Sequence, residues 1–172
     1  SLDDYMREHH VAGIMVLQDG RIRLERYGLG ATAQTRWTSF SVAKSFTSTL
    51  VGAALRDGSI HGLDDKVTRY IPELATGAYR DVTVRQLLTM TSGVRWNEDY
   101  VDPHSDVARM YEGERQPGVP LLVTYMAKLP REFAPGERWV YKTGETDLVG
   151  ILVARATGRN LADYLAEKIW KP

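Results

Sequence analysis

The chain has 172 residues, of which 43% are hydrophobic and 26% are charged, so it can fold around a core and is not expected to be disordered. Its 22 basic and 22 acidic residues give no net charge at pH 7, and no basic stripe favours nucleic acid as a partner. The absence of cysteine excludes disulfides and thiol catalysis, and no apolar run is long enough to favour a membrane as a partner.

The first 30 residues are predicted to form a short helix and a β-hairpin. Residues 1–10 are polar, unlike a signal peptide, and they leave the cellular compartment open. An apolar run at 13–17 precedes the turn signal Asp19-Gly20, after which Ile22 and Leu24 alternate with polar residues. A hairpin of two strands is barely stable by itself, so we expect it to need further strands or a covering helix.

After residue 36 the chain is predicted to be mainly helical. Helices are expected from Val42 to Leu55, from the capping box Thr83-Val-Arg-Gln86 through Met90, from Ser105 through Tyr111, over 121–128, over 144–157, and from Asn160 to about Ile169. Gly58 and Gly158 suit the left-handed position that ends a helix. A strand pair followed by at least six helices predicts an α+β fold.

Residues 37–55, WTSFSVAKSFTSTLVGAAL, contain a single charge, at Lys44. The other residues are apolar or small and polar, which is typical of a helix buried on nearly all sides, and burial of an unpaired ammonium favours the neutral amine. Ser41 lies three residues earlier, on the same helix face and at a helix N-terminus that stabilises negative charge. A nucleophile, an adjacent base and an electropositive backbone end together favour acyl transfer.

The Ser-x-x-Lys spacing is by itself a weak signal. In a purely structural interpretation, Ser41 caps a helix and Lys44 extends to solvent. The residue spacing gives the two interpretations about equal weight, and the isolation of Lys44 in a long uncharged stretch favours the functional one.

Other kinds of site receive less support. There is no G-x-S-x-G motif of an α/β-hydrolase, and Ser92 is interpreted as the end of a helix rather than as a nucleophile. The four histidines lack the spacing of metal ligands, and no glycine-rich phosphate loop is present, so no cofactor is predicted. A Ser-His-Asp triad with His104 and either Asp102 or Asp106 stays open without a specific motif behind it.

Four blocks follow one another in the sequence: FSVAKSFTSTLVGAALRDGSI, LDDKVTRYIPEL, VTVRQLLTMTSGV and PGERWVYKTGETDLVGILVARATG. Together they resemble the serine β-lactamase-like family, which includes class C β-lactamases, D-alanyl-D-alanine peptidases and β-lactamase-fold esterases. SFSVAKSFTS, NEDYVDPHSDV and the Y-x-(S/T)-x-x-T-D stretch look most similar to 6-aminohexanoate-dimer hydrolases, the nylon-oligomer amidases. The resemblance implies a β-lactamase/transpeptidase-like fold and a serine hydrolase that cleaves an amide or ester bond through an acyl-enzyme, without a cofactor.

Residues 139–147, WVYKTGETD, contain two overlapping motifs. Lys142-Thr143-Gly144 spells the K-T-G of penicillin-binding proteins and class A β-lactamases, which in the family lies on a sheet strand. Here the residues that follow have the periodicity of an amphipathic helix, so we interpret these letters as a coincidence. The resemblance instead assigns the second motif to Tyr141, on a loop before a helix and facing Ser41 and Lys44.

The resemblance implies a role for each of these three residues. Ser41 attacks the carbonyl carbon, and its N–H group supplies one oxyanion donor. Lys44 takes the hydroxyl proton. Tyr141 assists that transfer and protonates the leaving group.

Three further residues are expected to bind the substrate. Tyr100 resembles the tyrosine that contacts substrate in nylon-oligomer hydrolases, and Thr143 stands where many family members carry Asn or Ser. Tyr111 stands where nylon-oligomer hydrolases carry an Asp that receives the ammonium group of the substrate, and Glu112 is beside it. This departure leaves the identity of the substrate open.

We expect residues 1–172 to be one β-lactamase-like domain that lacks its C-terminal part. Residues 1–36 would supply a helix and strands of the α/β region, and residues 37–172 the helical region with the Ser-x-x-Lys and Tyr motifs. The resemblance implies that a third motif, further strands and a second oxyanion donor would follow, so a second chain or a homodimer is expected to complete the sheet. The alternatives are a β-lactamase-fold carboxylesterase, a D-alanyl-D-alanine peptidase-like enzyme and, from another class, a non-catalytic ligand-binding relative or an inactive fragment.

Overall fold

A computed structural model describes residues 1–171 of the chain, which are mainly helical. The α-helices are α1 (Leu2–Glu8), α2 (Ala43–Arg56), α3 (Val84–Leu88), α4 (Asp106–Arg109), α5 (Leu121–Ala127), α6 (Thr143–Thr157) and α7 (Leu161–Leu165), and the strands are β1 (Gly13–Gln18) and β2 (Arg21–Tyr27). The chain forms two compact units, which divide after Phe40. The predicted α+β class, with a hairpin followed by helices, is confirmed.

The first unit contains α1 and the hairpin. β1 and β2 pair antiparallel around Asp19 and Gly20, whose positive φ angles of 52° and 71° suit a two-residue turn. Large apolar side chains of both strands are exposed, among them Met15, Leu17 and Ile22. Within residues 1–171 the sheet consists of these two strands, so both of its edges are unpaired there.

In the second unit, α6 is the central helix of the core. α2, α3 and α5 all pack against it. Leu148 and Leu152 of α6 are fully buried, and Val149 and Val153 form a second buried pair at the same four-residue spacing. Because the body of α6 is fixed in this way, the position of its first turn is fixed as well.

Most of the predicted helices are confirmed, although several are shorter than predicted. α2 agrees within one residue at each end. α6 ends at Thr157, and Gly158 follows it in the left-handed conformation, as predicted. α3 ends before Met90, whose φ of 54° is incompatible with a right-handed helix, and α4 ends at Arg109 rather than Tyr111. The last predicted helix changes to a π-helical turn after Leu165.

The prediction that α2 is buried on nearly all sides is wrong. Its buried residues, Leu50, Val51 and Ala54, all lie in its second half. In the first half Lys44 is half-buried, and Ser41, just before the helix, is exposed. Hydroxyl groups in this half donate to carbonyls of their own helix, so an uncharged composition there does not require burial.

The capping box at the start of α3 gives a test of local stability. Gln86 N donates to Thr83 Oγ1 at 3.2 Å, and Thr83 N donates to Gln86 Oε1 at 3.0 Å. Thr83→Ala is expected to lower the free energy of unfolding by about 1 kcal/mol, because the Gln86 N–H loses its acceptor. Thr83→Ser keeps that acceptor and should lose much less. Urea unfolding compares the three proteins, and equal losses in both variants would show that the hydroxyl does not stabilise α3.

Candidate active site

Three polar side chains meet just before the N-terminus of α2. Lys44 Nζ donates to Ser41 Oγ at 3.0 Å, and the Tyr141 hydroxyl donates to the same oxygen at 2.7 Å. Ser41 lies in a 3₁₀ turn that leads into α2, and the spacing of three residues places Lys44 on the same side. The structure therefore brings together the three residues that were predicted to be catalytic, which we call the Ser41 cluster.

The residue before Ser41 has an unusual backbone conformation. Phe40 has a φ of 43°, in the left-handed region, which costs a residue other than glycine roughly 1–2 kcal/mol. Its side chain is 82% exposed, so no packing in the described residues accounts for that conformation. Strained residues of this kind cluster at functional sites, and this one directly precedes Ser41 in the 3₁₀ turn.

Tyr141 is half-buried and has a lowered pKa. Partial burial acts to raise the pKa of Tyr141, but its hydrogen bond to Ser41 and the influence of Lys44 outweigh that effect. Lys44 Nζ lies 5.1 Å from the centre of the Tyr141 ring, where a positive charge favours the phenolate. A phenol with a lowered pKa exchanges its proton more readily near neutral pH, so Tyr141 is suited to proton transfer with Ser41.

Glu98 connects the loop of Tyr100 to the first turn of α6. Its carboxylate accepts hydrogen bonds from Thr143 N at 2.9 Å, from the hydroxyls of Thr143 and Tyr100, and from Trp96 Nε1. Burial acts to raise the pKa of Glu98, but these hydrogen bonds outweigh it and hold the pKa below its usual value. A carboxylate at this end of α6 also interacts favourably with the helix dipole. The sequence analysis missed Glu98, and its only sequence signal was the short distance from Tyr100 in NEDY.

Two of the three predicted substrate-binding residues lie together. Tyr100 is 70% exposed on a loop, and its hydroxyl lies 3.3 Å from Thr143 Oγ1. Thr143 follows Tyr141 by two residues, at the start of α6. The hydroxyls of Tyr100 and Thr143 therefore form a polar edge close to Tyr141.

Tyr111 lies apart from the Ser41 cluster. Its hydroxyl donates to Asp147 of α6 at 2.5 Å. Burial raises the pKa of Tyr111, and the hydrogen bond to Asp147 adds to that effect. The ring lines an open groove with Leu121, Ile151 and Leu161, and no member of the Ser41 cluster lines this groove.

The letters K-T-G begin a helix rather than a strand, as predicted. Thr143 and Gly144 lie in the first turn of α6, and Lys142 is fully buried just before it. A Cβ atom on Gly144 would lie 2.8 Å from side-chain atoms of Trp96 and Met126. Close packing of the first turn therefore accounts for this glycine.

The described residues give little support to the other kinds of site that the sequence analysis considered. The Asp106 carboxylate accepts hydrogen bonds from Tyr125 and from Asn97 N, and that of Asp102 from Asn97 and from the backbone N–H of His104. Over residues 1–171, no group of three His, Cys, Asp or Glu side chains could hold a metal ion. Across the same residues, every helix is too short or too polar to span a bilayer.

Known proteins are similar to the chain in sequence. The family model Beta-lactamase matches residues 2–172. The 6-aminohexanoate-dimer hydrolase of Paenarthrobacter ureafaciens is 31% identical over 98% of this chain and 44% of its own length. The lovastatin esterase of Penicillium rubens is 29% identical over 77% of this chain and 36% of its own length.

A solved structure is similar in fold. It is a protein of Bacillus anthracis, provisionally described as a 6-aminohexanoate-dimer hydrolase, with a TM-score of 0.79 and 23% identity. The match covers 98% of this chain and 46% of that one, and at this identity it shows the fold alone. The chain thus spans less than half the length of each of these three proteins.

Proposed function

Because the chain belongs to the Beta-lactamase family, we propose that it carries the nucleophile of a serine hydrolase that cleaves an amide or ester bond through an acyl-enzyme. The observation that carries this proposal is the pair of hydrogen bonds to Ser41 Oγ, from Lys44 at 3.0 Å and from Tyr141 at 2.7 Å. A hydroxyl in contact with two groups that can exchange protons is the arrangement that nucleophilic catalysis requires.

The reaction begins when Ser41 Oγ attacks the carbonyl carbon and its proton passes to the unprotonated amine of Lys44 or to the phenolate form of Tyr141. The carbonyl oxygen becomes an oxyanion, which the Ser41 N–H stabilises together with the positive end of α2. As the tetrahedral intermediate collapses, Tyr141 protonates the leaving amine or alkoxide, and the acyl group stays on Ser41. Water then attacks the carbonyl carbon of the acyl-enzyme and gives a proton to Lys44 or Tyr141. The bond between that carbon and Ser41 Oγ breaks, the carboxylic acid leaves, and the proton returns to Ser41 Oγ.

We propose that residues 1–172 belong to a longer catalytic domain, which supplies a second oxyanion donor. Similarity to proteins of more than twice the matched length supports this proposal. We also propose that the hairpin pairs with further strands, from the same protein or from a second copy. The unpaired edges of β1 and β2 and their exposed apolar side chains support that pairing.

The proposed substrate is a small amide, of the kind named for the aminohexanoate-dimer hydrolase relative. Tyr100 and Thr143 would contact the acyl side of it. Tyr111 is expected to act only if the substrate extends toward the groove beside Asp147. The similarity to a lovastatin esterase favours an ester as the second candidate substrate.

Covalent labelling by a fluorophosphonate probe tests this function. We expect the chain to gain the mass of one probe adduct, on Ser41, because the probe reports an activated serine. Ser41→Ala should abolish the labelling. Ser45→Ala is the matched control, because Ser45 is exposed on the same helix outside the Ser41 cluster and should not matter. Intact-protein and peptide mass spectrometry give the readout, and no adduct on Ser41 would favour a non-catalytic relative.

A further inference from the structure

A buried ion pair flanks Tyr141 and takes no part in the proposed chemistry. Lys142 Nζ lies 3.9 Å from Glu145 Oε1, and both side chains are 0% exposed. Lysine and glutamate are almost never buried completely unless they are paired, because removing a charge from water is costly. Hydrophobic residues could fill the same space at less cost, so the pair calls for a functional explanation.

Glu145 joins the first turn of α6 to two distant parts of the chain. Its Oε1 atom accepts hydrogen bonds from the Tyr79 hydroxyl at 3.1 Å and from Ser92 Oγ. Tyr79 and Ser92 are themselves fully buried, and Ser92 Oγ also accepts a hydrogen bond from Val94 N at 3.1 Å. Glu145 is therefore held firmly in the core.

The Lys142 side chain folds back and contacts the backbone next to Tyr141. Its Nζ donates to Val140 O at 3.3 Å, so the ammonium lies between the carbonyl that precedes Tyr141 and the carboxyl of Glu145. Met90 holds the same segment, since its carbonyl accepts from Val140 N at 3.1 Å and its sulfur from Lys142 N at 3.4 Å. The backbone on both sides of Tyr141 is thus fixed while the Tyr141 hydroxyl reaches Ser41.

The charge of Glu145 changes near neutral pH. Burial raises the pKa of Glu145 to about 7, although Lys142 and the hydrogen bonds from Ser92 and Tyr79 oppose the rise. Burial lowers the pKa of Lys142, although the charges of Glu145 and Glu132 oppose that change. Burial raises the pKa of Tyr79, which donates to Glu145, and the charge of Asp106 adds to that rise.

One carboxyl oxygen of Glu145 has no hydrogen-bond partner among the described residues. Glu145 Oε2 is buried without a hydrogen bond among the described residues. The charge of an ionised Glu145 is therefore balanced mainly by Lys142. An ammonium that loses this counter-charge in a buried place must give up a proton or move, and either change weakens its hold on Val140 O.

We propose that Lys142 and Glu145 are positioning residues for Tyr141: the ionised pair holds the Val140 carbonyl and keeps the Tyr141 hydroxyl on Ser41, and protonation of Glu145 loosens that hold. This inference rests on the proposed function. Neither residue touches a reacting atom, because both act through the backbone that carries Tyr141.

Glu145→Gln tests the inference, because it removes the charge and keeps the size and the Oε1 acceptor. We expect wild type to label with the fluorophosphonate probe about ten-fold faster than the variant at about pH 8, where Glu145 is ionised. The two rates should be equal at about pH 5, where the protonated Glu145 of wild type is uncharged like the glutamine of the variant. Glu73→Gln is the matched control. It removes the carboxylate that pairs at 2.7 Å with Arg155, a residue of α6 like Glu145. This pair lies away from Tyr141, so the ratio of the wild-type labelling rate to that of the control should stay near one at both pH values.

A second readout does not depend on catalysis. The ionisation of Tyr141 is followed by ultraviolet absorbance, as the difference between each protein and its Tyr141→Phe form. In Glu145→Gln the pKa of Tyr141 should rise toward that of a free phenol, because its contacts with Ser41 and Lys44 loosen. If wild type does not label at all, the proposed function fails, and this titration alone decides the inference.

A double variant covers the case in which Glu145→Gln does not fold. Lys142→Met with Glu145→Gln leaves no unpaired buried charge, so it should fold, and it should show the same loss of labelling and the same rise in the pKa of Tyr141. Wild-type values of both quantities in the double variant, or a labelling ratio for Glu145→Gln that does not change with pH, would overturn the inference.

Discussion

Lys44→Met is expected to slow the acylation of Ser41 by about 10²–10⁴-fold, the usual contribution of a positioned acid or base. The variant removes the amine that lies 3.0 Å from Ser41 Oγ and keeps an unbranched side chain in its place. The proton of Ser41 moves only as the transition state forms, so kcat should fall much more than KM rises. Tyr141 would remain on Ser41 and account for the residual rate.

The rate of fluorophosphonate labelling and the acylation burst with an activated ester measure this effect. Lys168→Met is the matched control, because Lys168 pairs with Asp57 at the other end of α2, at 2.8 Å. The same substitution there should leave acylation unchanged. Labelling of Lys44→Met at the wild-type rate would identify Tyr141, or another group, as the base.

The sequence allowed a prediction of the contact between Ser41 and Lys44 because it depends on local spacing. Residues three apart face the same way in any helical turn, whatever surrounds them. The contact of Tyr141 with Ser41 spans 100 residues, and no spacing rule relates them. That residue was predicted only through the family resemblance.

The burial of Lys44 was predicted wrongly for a physical reason. An uncharged stretch shows that a helix can tolerate burial, but it does not show which part of the helix another element covers. In the structure only the second half of α2 supplies core residues, while hydroxyls of the first half bond to their own backbone. Composition alone does not distinguish these two arrangements.

The two acids that organise the site were missed because their partners are far away in sequence. Glu98 binds Thr143, and Glu145 binds Tyr79, across 45 and 66 residues. Glu145 lies in the first turn of a helix, where acidic residues are common, and Glu98 lies on a loop beside other acidic residues, so neither carried a distinctive signal. Their importance follows from burial and from the number of donors that each receives.

Gly93→Ala is expected to lower the free energy of unfolding by about 3–5 kcal/mol, from two costs that act together. Gly93 has a φ of 74°, which disfavours any side chain. A Cβ atom there would also lie 2.1 Å from Phe133 O, a backbone atom that cannot rotate away. The same turn carries Met90 and Ser92, which hold Val140 and Glu145, so the substitution should also disturb Tyr141.

Gly58→Ala separates the two costs. Gly58 has almost the same φ, 75°, but a Cβ atom there would meet nothing within 4 Å. This variant should therefore lose only the conformational cost, about 1 kcal/mol. Urea unfolding of both variants gives the comparison. Equal losses of stability in the two variants would mean that the segment at Phe133 moves aside at little cost. The turn at Gly93 would then fix the backbone behind Tyr141 less tightly than its close contact with Phe133 implies.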